Sequence, residues 1–277
     1  MKNKEQKSPL FLAVKYLVRI FSPKMTLEGS DEMQEMFSRN GNAPFQEPVI
    51  IVANHSQMYG PIACELYLPD NCHIWCAGEM MKCSEVPAYA YQDFWSEKPN
   101  LLRPFYKVLS YLIAPLSVLV FGNARTIPVY KDSRLKHTFR DSLEQLLAGN
   151  SIVIFPEHNK QHNHIVYEFQ EGFVDIARLY HKRTGKAISF VPMYICPALG
   201  KMCPGKPIRF SAQGDVHEER LRICAYLMQE ITNLAEALPR HRVVPYPNIS
   251  KKLYPMNNTI TENAASVDVH TFDEESL

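Results

Sequence analysis

The chain has 277 residues, 46% of them hydrophobic and 21% charged, with a formal net charge of +1. That length and apolar content supply one large domain, or two small ones, with a full core, and the near-neutral balance excludes any argument from global charge for a nucleic-acid partner. Seven cysteines without a C-x-x-C pair, and no evident secretory leader, point away from a disulfide scaffold and toward a reducing, cytosolic-side setting with buried free thiols.

The first 24 residues carry Lys2, Lys4, Lys7, Lys15, Arg19 and Lys24 against Glu5 alone. Within them, Leu10, Val14, Leu17, Val18 and Phe21 recur at helical spacing, with Lys15 and Arg19 on one flank. The pattern predicts a basic amphipathic helix over Pro9–Phe21, suited to lying in an anionic membrane interface; an ordinary helix packed on the domain is the other reading. Apolar, strand-like runs follow at Pro48–Ala53, Ile74–Ala77, Thr126–Tyr130, Ser151–Phe155, Ile188–Tyr194 and Pro207–Ala212. Helical stretches at Ile62–Tyr67, Val86–Trp95, Arg134–Ala148 and Gly172–Arg183 separate most of them, and His217–Leu238 reads as a last amphipathic helix. The run Phe105–Phe121 is very apolar but holds Pro115 and Lys107 and falls short of the roughly 20 residues a span needs. It is expected to be a buried or partly membrane-dipping helix. Strands apolar on both faces, alternating with helices, predict an α/β fold with a mixed, largely parallel sheet flanked by helices. The Pro-rich segment Pro239–Pro255 reads as an extended stretch wrapping the surface, and the last residues, 256–277, as an acidic, disordered tail.

In such a sheet, ligands bind beyond the carboxyl ends of the strands, so the residues that follow each apolar run are where chemistry is to be sought. Asn54-His55-Ser56 leaves the first run, with Pro61 placed to open a helix. The positive field of a helix N-terminus disfavours an imidazolium and suits His55 to act as a general base; a histidine that merely caps the helix or bonds a carbonyl is an equal reading from His55 alone. Glu157 and Lys160 leave the Ser151–Phe155 run three residues apart, either as a solvated turn or as a polar acceptor site with a carboxylate for hydroxyls and an ammonium for a phosphate. Arg125 and Lys131 flank the Thr126–Tyr130 run and are expected to add positive charge at the same edge. His158, His162 and His164 lie close behind Glu157 and allow a rival reading, a metal-dependent hydrolase; surface histidines on a polar loop are the plainer alternative. Cys72, His73, Cys76 and Cys83 lack the spacing of common zinc sites.

Four segments taken together resemble the glycerolipid (lysophospholipid) acyltransferase superfamily, which includes the 1-acylglycerol-3-phosphate acyltransferases. Asn54-His55 is similar to that family's N-H-x4-D block, and Ile127-Pro128-Val129-Tyr130-Lys131 to its second block, which usually ends in Arg. Phe155-Pro156-Glu157 matches the start of F-P-E-G-T-R, and Val191-Pro192-Met193 is similar to V-P-V. The resemblance runs from about Pro48 to Ile195 and more loosely to Leu238. It implies transfer of an acyl chain from acyl-CoA or acyl carrier protein to the hydroxyl of a lysophospholipid or glycerol phosphate, on the cytoplasmic side of a membrane, with no metal or prosthetic group. His55 would be the base, Glu157 would help bind the glycerol part, Lys131 and Lys160 would hold phosphate, and Pro192 would line an apolar wall. Asn54, Ser56 and Arg125 join the expected substrate-binding set. It also divides the chain into a membrane-association helix (1–24), an acyltransferase-like α/β domain (25–255) and the tail.

Two departures bear on activity. Gly60 stands where the family has the Asp that fixes the histidine's tautomer, and the loss of such a carboxylate in a serine-protease triad costs ~10⁴ in rate. Glu65, Glu79 or Glu157 would have to substitute. His158-Asn159-Lys160 replaces Gly-Thr-Arg after Glu157, and a lysine keeps the charge but not the bidentate geometry of arginine. These changes predict a different acceptor, a slower enzyme, or a non-catalytic relative that binds lipid or acyl-thioester.

Overall fold

Ile50 and Val52 point to one face of a buried strand, and Val49, Ile51 and Ala53 to the other, so the segment Val49–Ala53 is sealed at every position and belongs to two hydrophobic clusters at once. Burying each such large side chain is worth about 1.5–3 kcal/mol, which makes this strand the spine of the fold. The structure, a computed structural model, describes residues 8–29, 47–95 and 100–258. Lys2, Lys4, Glu5 and Lys7 of the basic start and residues 259–277 of the expected tail lie outside the described residues.

In chain order the described elements are helix α1 (Pro9–Phe21), strands β1 (Thr26–Leu27) and β2 (Val49–Ala53), helix α2 (Tyr59–Tyr67), strand β3 (Cys72–Ala77), helices α3 (Val86–Ala90) and α4 (Arg103–Asn123), strand β4 (Thr126–Val129), helix α5 (Leu135–Leu147), strands β5 (Ser151–Ile154), β6 (Glu157–Gln161) and β7 (Tyr167–Phe169), helix α6 (Asp175–Thr184), strands β8 (Ser189–Cys196), β9 (Lys201–Pro204) and β10 (Ile208–Arg209), and helix α7 (Val216–Glu236). The main sheet has the order β1-β9-β8-β2-β5-β3-β4, with β10 also paired to β8. The five strands from β8 to β4 run parallel, while β9 and β10 are antiparallel to β8. This is the expected α/β architecture, a mixed and mostly parallel sheet flanked by helices, with the N-terminal helix at the expected bounds.

Connectivity places a crevice. The chain leaving β2 passes through α2 to β3, beyond β5; the chain leaving β5 passes through the β6–β7 hairpin and α6 to β8, beyond β2. Two neighbouring strands whose exits diverge in this way open a switch point at their carboxyl ends.

Two helices sit outside this sandwich. In α1 only Phe11 is buried, and Lys15 is tied to Glu65 of α2 at 2.5 Å. Helix α4 was expected to be buried or dipping into a membrane. It turns a narrow stripe of Ser110, Ala114 and Ser117 to the domain, where Ser117 Oγ donates to the Met80 carbonyl. Its other faces stand open, with Tyr111 and Leu112 each 70% exposed. By length and composition it is able to cross a membrane, but the packed stripe lays it along the domain. The Ser8 N–H donates to Asn123 Oδ1, joining the start of α1 to the end of α4.

Within the described part of the expected tail, Asn257 is fully buried and belongs to the domain: its side chain accepts from the His241 N–H and donates to the Ala235 and Leu238 carbonyls.

Candidate active site

His55 leaves β2 and Glu157 follows β5, so both stand at the switch point. Behind His55 the backbone turns sharply: Ser56 and Gln57 have φ of 46° and 53°. A left-handed conformation costs a non-glycine residue about 1–2 kcal/mol and persists only where its surroundings over-determine it. Asn54 supplies that constraint. Its Oδ1 accepts from the Ile195 N–H at 2.7 Å, and its Nδ2 donates to the Ile195 carbonyl and to Ser56 Oγ. The two residues expected to touch substrate, Asn54 and Ser56, are thus buried and clip the turn to β8.

The second clamp is Glu157. One carboxylate oxygen accepts from the His55 N–H at 2.5 Å and the other from the Tyr167 N–H at 2.9 Å. Burial outweighs these two bonds and pushes the carboxyl up to about 7. Glu157 therefore opens strand β6 and faces main chain, and the solvated turn considered from sequence is not formed.

The His55 ring is in contact with Phe155, with centroids 5.2 Å apart, and with Tyr246, at 5.6 Å, both in edge arrangements. Nδ1 is sealed from solvent without a hydrogen-bond partner. The residue as a whole stays half-buried, so Nε2 is the nitrogen that an incoming hydroxyl reaches. Desolvation holds the imidazole below its ordinary range, opposed by the main-chain carbonyls of Gln57 and His55. Burial thus favours the neutral ring at pH 7. Among the described residues no carboxylate hydrogen-bonds it: Glu65 serves Lys15 and Arg125, and Glu157 serves main chain.

The backbone at Gly60 leaves no room for a side chain. Helix α2 starts at Tyr59, earlier than Pro61 suggested, and the Gly60 N–H donates to the His55 carbonyl at 3.1 Å. A Cβ on Gly60 would overlap that carbonyl oxygen and meet Asn54 O and Phe155 Cε1 at 3.0 Å. Gly60→Asp is therefore expected to destabilise the fold by about 1–3 kcal/mol through overpacking, seen as a lower melting temperature, without adding an orienting carboxylate. A variant as stable as the parent and more active would contradict this account.

The remaining expected residues are dispersed. Arg125 precedes β4 and so lies at the amino edge of the sheet, opposite His55, where it donates to the carbonyls of Pro69 and Glu65. Lys131 is exposed at the carboxyl edge just past β4, three strand spacings from β2 or roughly 14 Å. Lys160 pairs with Glu168 across the hairpin at 2.7 Å. Pro192 is buried inside the sheet, opposite Val52. The three loop histidines do not converge. His158 faces Glu168, and His164 bonds the Asn257 carbonyl at 2.8 Å. Among the described residues no group of three His, Cys, Asp or Glu side chains is arranged to hold a metal, at this loop or at Cys72, His73, Cys76 and Cys83. Phe155, Tyr167 and Tyr246 were not singled out from sequence, because Phe155 reads as the end of a strand and Tyr246 as part of a Pro-rich connection.

Fold and site together define an α/β protein with a neutral histidine at a parallel-sheet switch point. No protein-family model matches the chain, and no curated protein matches it. Among solved structures, it is similar to the crystal structure of the 1-acyl-sn-glycerophosphate (LPA) acyltransferase PlsC from Thermotoga maritima, at 13% identity and a TM-score of 0.47, over 83% of this chain and 81% of that one.

Proposed function

We propose that the chain is an O-acyltransferase that moves an acyl group from an acyl-thioester, acyl-CoA or acyl carrier protein, to the hydroxyl of a lysophospholipid or glycerol phosphate. The observation that carries this reading is His55: a neutral imidazole, reachable at Nε2, at the switch point and within four sequence segments that follow the acyltransferase order. His55 Nε2 takes the acceptor's hydroxyl proton as the oxygen attacks the thioester carbonyl. The tetrahedral carbon then expels the thiolate, which takes up that proton to leave as thiol. No metal or prosthetic group enters the step. Lys131, exposed at the carboxyl edge, is available to a phosphate at some distance from the reacting atoms, and Lys160 in the hairpin would reach one by giving up Glu168. The deciding experiment offers a panel of acyl-CoA and acyl-carrier-protein donors with lysophospholipid and glycerol phosphate acceptors, and follows ester formation. Transfer with at least one pair is the expected outcome; its absence with every donor overturns the reading. A second reading, a non-catalytic relative that binds lipid or acyl-thioester, has the ring's lack of a carboxylate partner in its favour, and measurable acyl-CoA binding without transfer would select it.

The same proposal places the protein peripherally on the cytoplasmic side of a membrane. Helices α1 and α4 contain no Asp or Glu, and they carry Lys15, Arg19, Arg103 and Lys107 beside exposed apolar side chains such as Phe21, which is 84% exposed. Each basic residue near an anionic leaflet contributes about 1 kcal/mol. Deleting residues 1–24 is expected to lower binding to anionic vesicles about tenfold or more, and raised salt to weaken what remains. Unchanged flotation of the truncated chain would make α1 a structural helix and leave α4 as the anchoring element.

A further inference from the structure

The segment between α7 and Asn257 is a closed strap. At its base the Asn257 N–H donates to the His241 carbonyl, Asn257 Oδ1 accepts from the His241 N–H, and the Val243 N–H donates to the Pro255 carbonyl at 2.8 Å. His241 Nε2 is hydrogen-bonded to the hydroxyl of Tyr194 in β8, which anchors the base to the sheet. The far part of the strap grips the turn behind His55: Gln57 Nε2 donates to the Pro247 carbonyl at 3.1 Å, and the Tyr254 hydroxyl donates to Gln57 Oε1 at 3.2 Å. Immediately before the first of these grips, Tyr246 reaches the imidazole, its ring perpendicular to it, and also packs on Tyr167.

We propose that Tyr246 is a positioning residue for His55: the strap holds its ring against the imidazole, which Phe155 also contacts, and the two contacts fix the orientation that a hydrogen-bonded carboxylate supplies in other histidine bases. This rests on His55 being the base of the proposed transfer. The neighbouring groups leave this task to the aromatic rings. Both Glu157 oxygens are taken by main-chain N–H groups, and Gly60 has no side chain. A perpendicular ring restricts rotation about the His55 side chain through its shape and quadrupole. The proline at each side, Pro245 and Pro247, limits the backbone freedom of Tyr246.

The test compares the full chain with Tyr246→Phe and Tyr246→Ala by two readouts. The first is NMR titration of the His55 imidazole, its signal assigned by its loss in His55→Gln. The second is kcat and KM for acyl transfer. Tyr246→Phe is expected to match the parent in both. Tyr246→Ala is expected to let water reach the ring, raise the His55 pKa toward its ordinary value, and lower kcat about 10- to 100-fold through misplacement, with KM nearly unchanged. A Tyr246→Ala variant that keeps the parent's melting temperature, titration and kcat overturns the proposal, as does a Tyr246→Phe variant that is as impaired as Tyr246→Ala. If the parent transfers no acyl group, the acyltransferase reading fails, and the titration alone decides whether Tyr246 positions the ring.

Discussion

Replacing His55 with alanine is expected to lower kcat/KM for acyl transfer by about 10²- to 10⁴-fold, the span of general acid–base catalysis, with little change in the melting temperature. The small cost in stability follows from what the ring gives the fold. Among the described residues its Nδ1 has no hydrogen-bond partner, nearby main-chain carbonyls offset only part of its desolvation, and the ring contributes two edge contacts, to Phe155 and Tyr246. Its pH signature follows from the direction of its shift. A base whose pKa is held below the ordinary 6.5 becomes neutral earlier on the alkaline path, so kcat/KM rises at acidic pH and is level by neutrality. Transfer that survives in His55→Ala at the parent's rate removes His55 from the mechanism.

Glu157→Ala is expected to have the largest effect on stability and to abolish activity with it. The carboxylate is buried and satisfies two main-chain donors that hold the His55 turn to the hairpin. Leaving such donors unpaired costs about 1–3 kcal/mol each, and the turn carries backbone strain that needs restraint. Glu157→Gln keeps one acceptor oxygen but turns an amide N–H₂ toward the other donor, so an intermediate loss is expected. The pH dependence separates the roles. The folded carboxyl titrates at about 7 against an ordinary 4.5, so between these values the native state holds a proton that the unfolded chain has released. Stability from this group therefore falls as pH rises from about 4.5 to about 7. The depressed His55 pKa acts with the opposite sign below 6.5, which is why the comparison has to be between the parent and Glu157→Gln, by chemical denaturation at several pH values. An identical pH profile for the two would show that Glu157 is not the buried, high-pKa group described.

The sheet was legible wherever apolar character carried it. The runs read from sequence as Pro48–Ala53 and Ser151–Phe155 became β2 and β5 within a residue at each end, because strands buried on both faces advertise themselves by composition. Strand β6 escaped notice for the converse reason: its sequence Glu-His-Asn-Lys-Gln is polar, with only Glu157 buried, and its pairing with β7 rests on backbone bonds. Arg125 and Lys131 bracket β4, which begins at Thr126 as the run itself indicated, so their placement at opposite edges of the sheet was already legible. Glu157 shows a deeper limit. Residue type and spacing identify a carboxylate near His55, but whether it faces a ligand or the protein's own N–H groups is decided by a hairpin that sequence periodicity does not reveal. The contact of Tyr246 with His55, 191 positions apart in the numbering, leaves no local signal at all.

That separation has a consequence for how the protein is made. Among the described residues strand β2 pairs with β5 and β8, and the His55 turn is fastened by partners 102 and 141 residues further along the chain. At ribosomal speeds of about 5–20 residues per second, the Val-Ile-Ile-Val-Ala segment leaves the tunnel several seconds before either neighbouring strand exists. Throughout that interval it is a short, uncharged, β-branched stretch, the kind most prone to self-association. Shielding of nascent residues 49–53 is therefore expected to raise soluble recovery, which co-expression of a holdase would measure.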